Sequence, residues 1–201
     1  MLKLLTSTPP PFAVKRWSLD DYHRMIDLGI LTEEDKVELL EGWIVPKMPR
    51  NPPHEDAIQN TDYLLRDILP KGWRVRVQSP VTIALAESEP EPDIYVHLVS
   101  RRKRPRHPEP RDTALVIEVS DSTLAQDRAV KQKIYARGRV PVYWIINIGD
   151  RQIEVFSDPT GPSPKPKYRD SQIYRNGESV PVIIAGKEVG KLRASDMLPA
   201  A

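Results

Sequence analysis

The stretch TALVIEVSDST, Thr113 to Thr123, decides how the chain folds. Ala114, Leu115, Val116, Ile117 and Val119 form an almost unbroken apolar run, the pattern of a strand buried on both faces. One acid, Glu118, sits inside the run. An isolated ionised carboxylate in an apolar setting is costly, so it should be paired or bound to a metal. Strand alternation puts Leu115, Ile117 and Val119 on one face and Val116, Glu118 and Ser120 on the other.

Working outward from this strand, TLAQDRAVKQKIYARG reads as a helix closed by Gly138, and PVYWIINI as a second apolar strand. The unit spanning 115–120, 123–137 and 142–148 predicts a right-handed parallel crossover. Gly149 and Asp150 then turn the chain into RQIEVFS, a hairpin. Upstream, WRVRV alternates, PVTIALA reads as a strand, and DIYVHLV as another. SLDDYHRMIDLG carries an N-cap at Ser18 and a stop at Gly29. TEEDKVELLEG follows the same logic as a second helix, with Thr32 as N-cap, Asp35 three residues on and Gly42 at its end. WIVPKM reads as a short strand, and HEDAIQNTDYLLRDILP as a helix that ends before Pro70. Four prolines mark 158–170 as a loop, Asn176-Gly177 is a turn signal, and VPVIIAG is a further strand.

These elements predict an α/β (α+β) fold with a mixed central sheet. Residues 1–15 read as a flexible, proline-rich arm and 16–201 as a single domain, which 201 residues favour. With 39% hydrophobic and 29% charged residues, a soluble globular protein is expected. No apolar run approaches the roughly 18–20 residues that span a bilayer, and the N-terminus lacks the h-region of a signal peptide. Cysteine is absent, which excludes disulfides, thiolate metal sites and a cysteine nucleophile. A cytoplasmic location is the default. The net charge of +2 does not announce a nucleic-acid binder, but SRRKRPRH, Ser100 to His107, holds five cations. That run reads either as a solvated loop or as a phosphate-contacting one.

A second acid, Asp93, follows Pro92 at the start of the strand before Glu118. If those strands pair, the two carboxylates could converge. With no cysteine and few histidines, the pair suits a hard cation, Mg²⁺ or Mn²⁺, rather than zinc. Asp127, Lys131 and Tyr135 follow at i, i+4, i+8 on the next helix. They read as a surface pair worth about 0.2–0.5 kcal/mol, or, because Val130 and Ile134 lie beside them, as a stripe from which Lys131 reaches back to the strand end. Glu38 reads as a helical acid, and His54 as a helix-entry residue.

In VELLEGWIV, MPRNPPH, EPDIYV, LVIEVSDST, the Asp127–Lys131–Tyr135 helix and VPVYWIINI with its hairpin, the chain resembles the Uma family of restriction-endonuclease-like proteins. That family is a bacterial branch of the PD-(D/E)xK nuclease superfamily, and the resemblance covers about residues 16–198. It implies a restriction-endonuclease-like mixed sheet flanked by helices, with a C-terminal β-hairpin extension and a divalent metal. Asp93 matches the "PD" acid and Glu118 the acid of "(D/E)xK", and the carbonyl of Val119 is implied as a third ligand. The usual motif places lysine two residues after that acid, where this chain has Ser120; the resemblance implies Lys131 in its stead. Glu38 matches an N-terminal helical glutamate that orients a water or the lysine. Val142 stands where the family often has Glu, and PRNPPH departs from the usual form although His54 is retained. The implied activity is metal-dependent hydrolysis of DNA phosphodiester bonds; the oligomeric state stays open, although strand-rich nuclease folds often form homodimers to cut both strands. Arg101, Arg102, Lys103, Arg104 and Arg106 would contact the DNA backbone. Three other readings stand beside this one. The first is a nuclease-fold module that binds nucleic acid or protein without cutting. The second is glycoside hydrolysis by the two carboxylates, which a 6% aromatic content disfavours. The third is a purely structural Glu118–Lys131 pair.

Overall fold

The structure is a computed structural model that describes residues 13–99 and 106–200. In chain order it runs α1 (Leu19–Asp27), β1 (Val37–Leu40), β2 (Trp43–Pro46), α2 (Pro52–Ile68), β3 (Trp73–Val77), β4 (Ile94–Leu98) and β5 (Thr113–Ser120). A helical segment follows, made of α3 (Leu124–Gln126), a π-helical turn (Asp127–Lys131) and α4 (Gln132–Gly138). The chain continues with β6 (Val142–Asn147), β7 (Gln152–Pro159), β8 (Tyr168–Arg175), β9 (Ser179–Ile184), β10 (Lys187–Arg193) and α5 (Ala194–Met197). Six strands form one mixed sheet in the order β3-β4-β5-β6-β7-β8. Among them only β5 and β6 pair in parallel, as the strand-helix-strand unit requires. β1–β2 and β9–β10 form separate antiparallel hairpins. No helix among the described residues is long and apolar enough to cross a membrane.

Every residue of β5 and β6 is buried, because both faces of the sheet are covered. Leu115, Ile117 and Val119 join the core under α2 and the β9–β10 hairpin. Val116 joins a second core with Tyr95, Ile134, Tyr135 and Tyr143, on the side of α4. The alternation read from TALVIEVS thus sorts these residues onto the faces it predicts, and Glu118 falls on the α4 side.

Four local readings are corrected. VELL is not the body of a helix: Val37–Leu40 is β1, which pairs with β2. The Thr32–Asp35 capping box does form, but it starts only a 3-10 turn, and Lys36 at φ 48 breaks the continuation. Glu41 (φ 47) and Gly42 (φ 80) are both left-handed, the geometry of a two-residue hairpin loop, so Gly42 turns a hairpin instead of ending a helix. Glu38 consequently lies on a strand, with all four residues of β1 buried.

PVTIALA is not a strand either. It ends in a 3-10 turn, Ala84–Ala86, and Ile83 makes only an isolated bridge to Ser88. Gly138 does not close its helix; Arg139, at φ 63, does so one residue later. Gly138 is small for another reason, since a Cβ there would lie 2.5 Å from Cγ2 of buried Ile83. Finally, β8 begins at Tyr168, inside the segment read as a loop, and together with β10 it lacked a sequence signal.

The Gly138 contact makes a stability prediction. Gly138→Ala gains up to about 1 kcal/mol of helix propensity but overpacks a rigid β-branched neighbour, at a cost of about 1–3 kcal/mol. Urea unfolding should show a net loss of about 1–2 kcal/mol; a variant more stable than the parent would refute the close approach.

Candidate active site

Antiparallel pairing brings the two acids together. Ile94 lies opposite Ile117, so Asp93, one residue before β4, falls beside Glu118. Asp93 Oδ2 accepts a hydrogen bond from the Val119 amide at 2.8 Å, which fixes the carboxylate against the end of β5. Both acids line one cavity of 90 Å³, shared with Glu38, Asp127, Lys131 and His54.

Lys131 stands at the centre of the acids. Its Nζ lies 3.1 Å from Glu118 Oε1, 3.7 Å from Glu38 Oε1 and 4.0 Å from Asp127 Oδ1. It sits in the π-helical turn, in which the Gln132 amide donates to the Asp127 carbonyl five residues back. Asp127, Lys131, Ile134 and Tyr135, at i, i+4, i+7 and i+8, are all buried against the sheet. Lys131 was expected at the edge of the buried face beside Val130; it lies inside that face, and Val130 is half-buried.

The residue at the motif's usual lysine position has a different task. Ser120 Oγ donates to Asp127 Oδ2 at 2.7 Å, and Thr123 Oγ1 donates to the same oxygen at 2.7 Å. These bonds anchor the first residue of the π-helical turn to the strand that carries Glu118. Glu38 is held from another side, where its Oε2 accepts the Glu91 amide at 3.0 Å. Tyr135 donates to Glu118 Oε1 at 2.7 Å. His54, the third residue of α2, places Nε2 3.3 Å from Asp93 Oδ2, while its buried Nδ1 has no partner.

The electrostatics are lopsided. Glu38, Glu118 and Asp127 lie within 4.0 Å of one ammonium and Asp93 lines the same cavity, so these four acids exceed Lys131 by three negative charges if all ionise. Burial pushes the Glu118 carboxyl well up; Lys131 pulls it back, and Asp127, Asp93 and Glu38 push it further up. Burial alone would lower Lys131, but the carboxylates of Glu118, Glu38, Asp127 and Asp93 outweigh it and hold the lysine protonated. Tyr135 is pushed well up, first by burial and then by the Glu118 charge, so it stays a hydrogen-bond donor.

The donor set fits a hard divalent cation. It offers carboxylate and carbonyl oxygens, excess negative charge, and two acids that leave Asp93 Oδ1 and Glu118 Oε2 without a hydrogen bond among the described residues. No three His, Asp or Glu side chains among the described residues gather closely enough to enclose an ion by themselves. Mg²⁺ is ordinarily held by one or two carboxylates and keeps several waters, a count that Asp93 and Glu118 meet.

The structure therefore brings Asp93, Glu118, Lys131, Glu38 and the Val119 main chain into one place. His54 and Asp127, flagged in the sequence without a role, line the same cavity. Asn51, which bridges to Asp121 across the cavity mouth, carried only an N-cap signal. Of the basic run, Arg106 is exposed and lines a separate cleft, whereas Arg101, Arg102, Lys103 and Arg104 lie outside the described residues.

A family model, Uma2, described as "Putative restriction endonuclease", matches residues 19–187. Among solved structures, that of a "putative nuclease belonging to DUF820 from Anabaena variabilis" has the same fold. Its TM-score is 0.66 at 17% sequence identity, over 90% of this chain and 96% of that one. No curated protein matches the sequence.

The charge cluster makes a second prediction. Breaking a buried ion pair from one side typically costs about 3–5 kcal/mol, so Lys131→Met should destabilise the metal-free protein by about that much. Adding Glu118→Gln should recover most of the loss. A double variant whose loss equals the sum of the two single losses, in urea unfolding, would show that the pair is not coupled.

Proposed function

The chain belongs to the Uma2 family, and from that premise we propose that it is a metal-dependent endonuclease hydrolysing phosphodiester bonds in DNA. The observation that carries the reading is the convergence of two strand-end carboxylates and one protonated lysine in a cavity with excess negative charge. Such a cavity demands a cation, and a cation beside a lysine suits a phosphate.

Asp93, Glu118 and the carbonyl of Val119 would hold Mg²⁺ or Mn²⁺. When bound, the cation supplies Lewis-acid neutralisation of phosphate charge and acidifies a water. The chain's own groups do the rest. Lys131 serves as a fixed positive charge facing the phosphate oxygens as charge builds in the transition state. The carboxylates around it keep it protonated, which suits a charge partner for the phosphate. Glu38 is a second carboxylate beside the ammonium, and the Glu91 amide holds Glu38. Tyr135 fixes the Glu118 carboxylate so that it faces the cavity. Water attacks phosphorus and the 3′ oxygen leaves, which gives a 5′-phosphate and a 3′-hydroxyl. A cytoplasmic site of action and a dimeric cutting unit belong to the same reading.

Purified protein with Mg²⁺ or Mn²⁺ should nick plasmid DNA, and chelation should abolish the activity. Asp93→Ala and Glu118→Ala should remove cutting, and Lys131→Met should slow it about 10²–10³-fold, the usual cost of losing one transition-state charge partner. Full cutting by either acid variant would overturn the site assignment.

A further inference from the structure

The candidate active site does not lie alone on its face of the sheet. Arg76 pairs with Tyr95 and Arg74 with His97 across β3–β4, and Tyr95 pairs with Val116 across β4–β5. Residues paired in register share a face, and so do residues two apart along a strand. Arg74, Arg76, Asp93 and Glu118 therefore all project to the same side of the sheet. β3 is the edge strand on the Asp93 side.

These cations are also continuous with the cavity mouth. Gln78, the residue after β3, donates its amide to the Asp93 carbonyl, and its Oε1 accepts a hydrogen bond from Arg50 at 2.6 Å. Arg50 lines the cavity. At about 3.3 Å per residue, Arg76 and Arg74 lie roughly 7 and 13 Å further out along the strand. Beyond the mouth they border a cleft of 820 Å³ on whose wall Arg106 also stands.

The row has unspent charge on β3, whereas Arg50 lies 3.9 Å from Glu91. Arg74 and Arg76 are exposed and make no ion pair among the described residues. Of the acids in the cleft, Glu89 is taken by His23 and Thr82, which leaves exposed Asp27. Arg66, the cleft's other arginine, is taken by Asp62. Charges on an edge strand can serve only to block pairing with another sheet. The opposite edge shows what that looks like: on β8, Arg169 pairs with Asp158 and Asp170 follows it, so the signs are mixed. β3 carries cations alone, and they are aligned with the catalytic acids.

We propose that the β3 edge, through Arg74 and Arg76 and continued by Arg50, is a track that seats a nucleic-acid phosphodiester backbone and leads it into the cavity. The proposal rests on the nuclease reading for the identity of its partner. The basic run at 101–106 is then not the sole candidate for backbone contacts, and Arg106 joins the same surface.

The test is equilibrium binding of fluorescein-labelled oligonucleotides, single-stranded and duplex, in chelator so that nothing is cut. Arg74→Ala/Arg76→Ala should bind about tenfold more weakly at low salt. Its plot of log affinity against log salt should be shallower by about 0.7–0.9 per lost phosphate contact. Arg169→Ala/Arg175→Ala, with the same loss of charge on β8, should bind like the parent. The arm that weakens identifies the strand form that uses the track. Equal weakening by the β8 variant, an unchanged affinity and salt slope in the β3 variant, or no oligonucleotide binding by the parent would each overturn the proposal. Metal-dependent hydrolysis of bis(p-nitrophenyl) phosphate separates this from the nuclease reading, because so small a diester reaches the cavity without a track. The β3 variant should keep that activity. A parent inactive on the diester but with Arg-dependent oligonucleotide binding would sink the nuclease reading and leave the track standing.

Discussion

The structure turns on the contact between Glu118 and Lys131, 3.1 Å apart beside the apolar core of Tyr95, Val116, Ile134 and Tyr143. Burying two charges costs several kcal/mol per ion even after relaxation. A well-buried apolar neighbour returns only about 1.5–3 kcal/mol. No single packing contact around Glu118 therefore covers its charge. Lys131 and the Tyr135 hydroxyl must both be present, and both come from the helical segment between β5 and β6. The parallel crossover does more than connect two strands: it carries the counter-charge for the strand it leaves.

That dependence explains the local oddities of the segment. A π-helical turn, Asp127–Lys131, interrupts the helical segment and carries both Asp127 and Lys131, the two residues that face the sheet there. Such turns hydrogen-bond less favourably and need support from outside the helix. The support is Asp127, tied to Ser120 and Thr123. A serine where the superfamily motif has lysine is thus no simple loss. Lys131 brings its charge from the helix, and Ser120 fastens that helix through Asp127.

Much of this was legible from local pattern. The buried strand, the crossover and the β6–β7 hairpin each follow from an apolar run bounded by turn residues. Glu118 was singled out because an acid in an apolar strand is expensive, and Asp93 because it follows Pro92 at the start of the strand before it. The failures share a cause, which is that a partner elsewhere in the chain overrode a local signal. The capping box at Thr32 formed, yet burial of Val37, Leu39 and Leu40 pulled the next residues into a strand. Gly138 looked like a helix stop and is instead the point where the helix presses on Ile83. β8 is largely exposed and polar, so no periodicity marked it; pairing with β7 makes it a strand. The π-helical turn has no sequence signature, since it arises from the ties to Ser120 and Thr123.

The cluster also bears on why it exists. Replacing a buried ion pair with well-packed apolar residues is often neutral or stabilising by about 1–4 kcal/mol. A chain needing only this fold would do better with an aliphatic residue in place of Glu118 and another in place of Lys131, since Val116, Tyr95 and Ile134 already make that side apolar. The chain instead keeps three acids within 4.0 Å of one ammonium and a fourth, Asp93, in the same cavity. An arrangement that is poor for stability is what the proposed function would require, since the carboxylates that burden the fold would be those that hold the proposed cation.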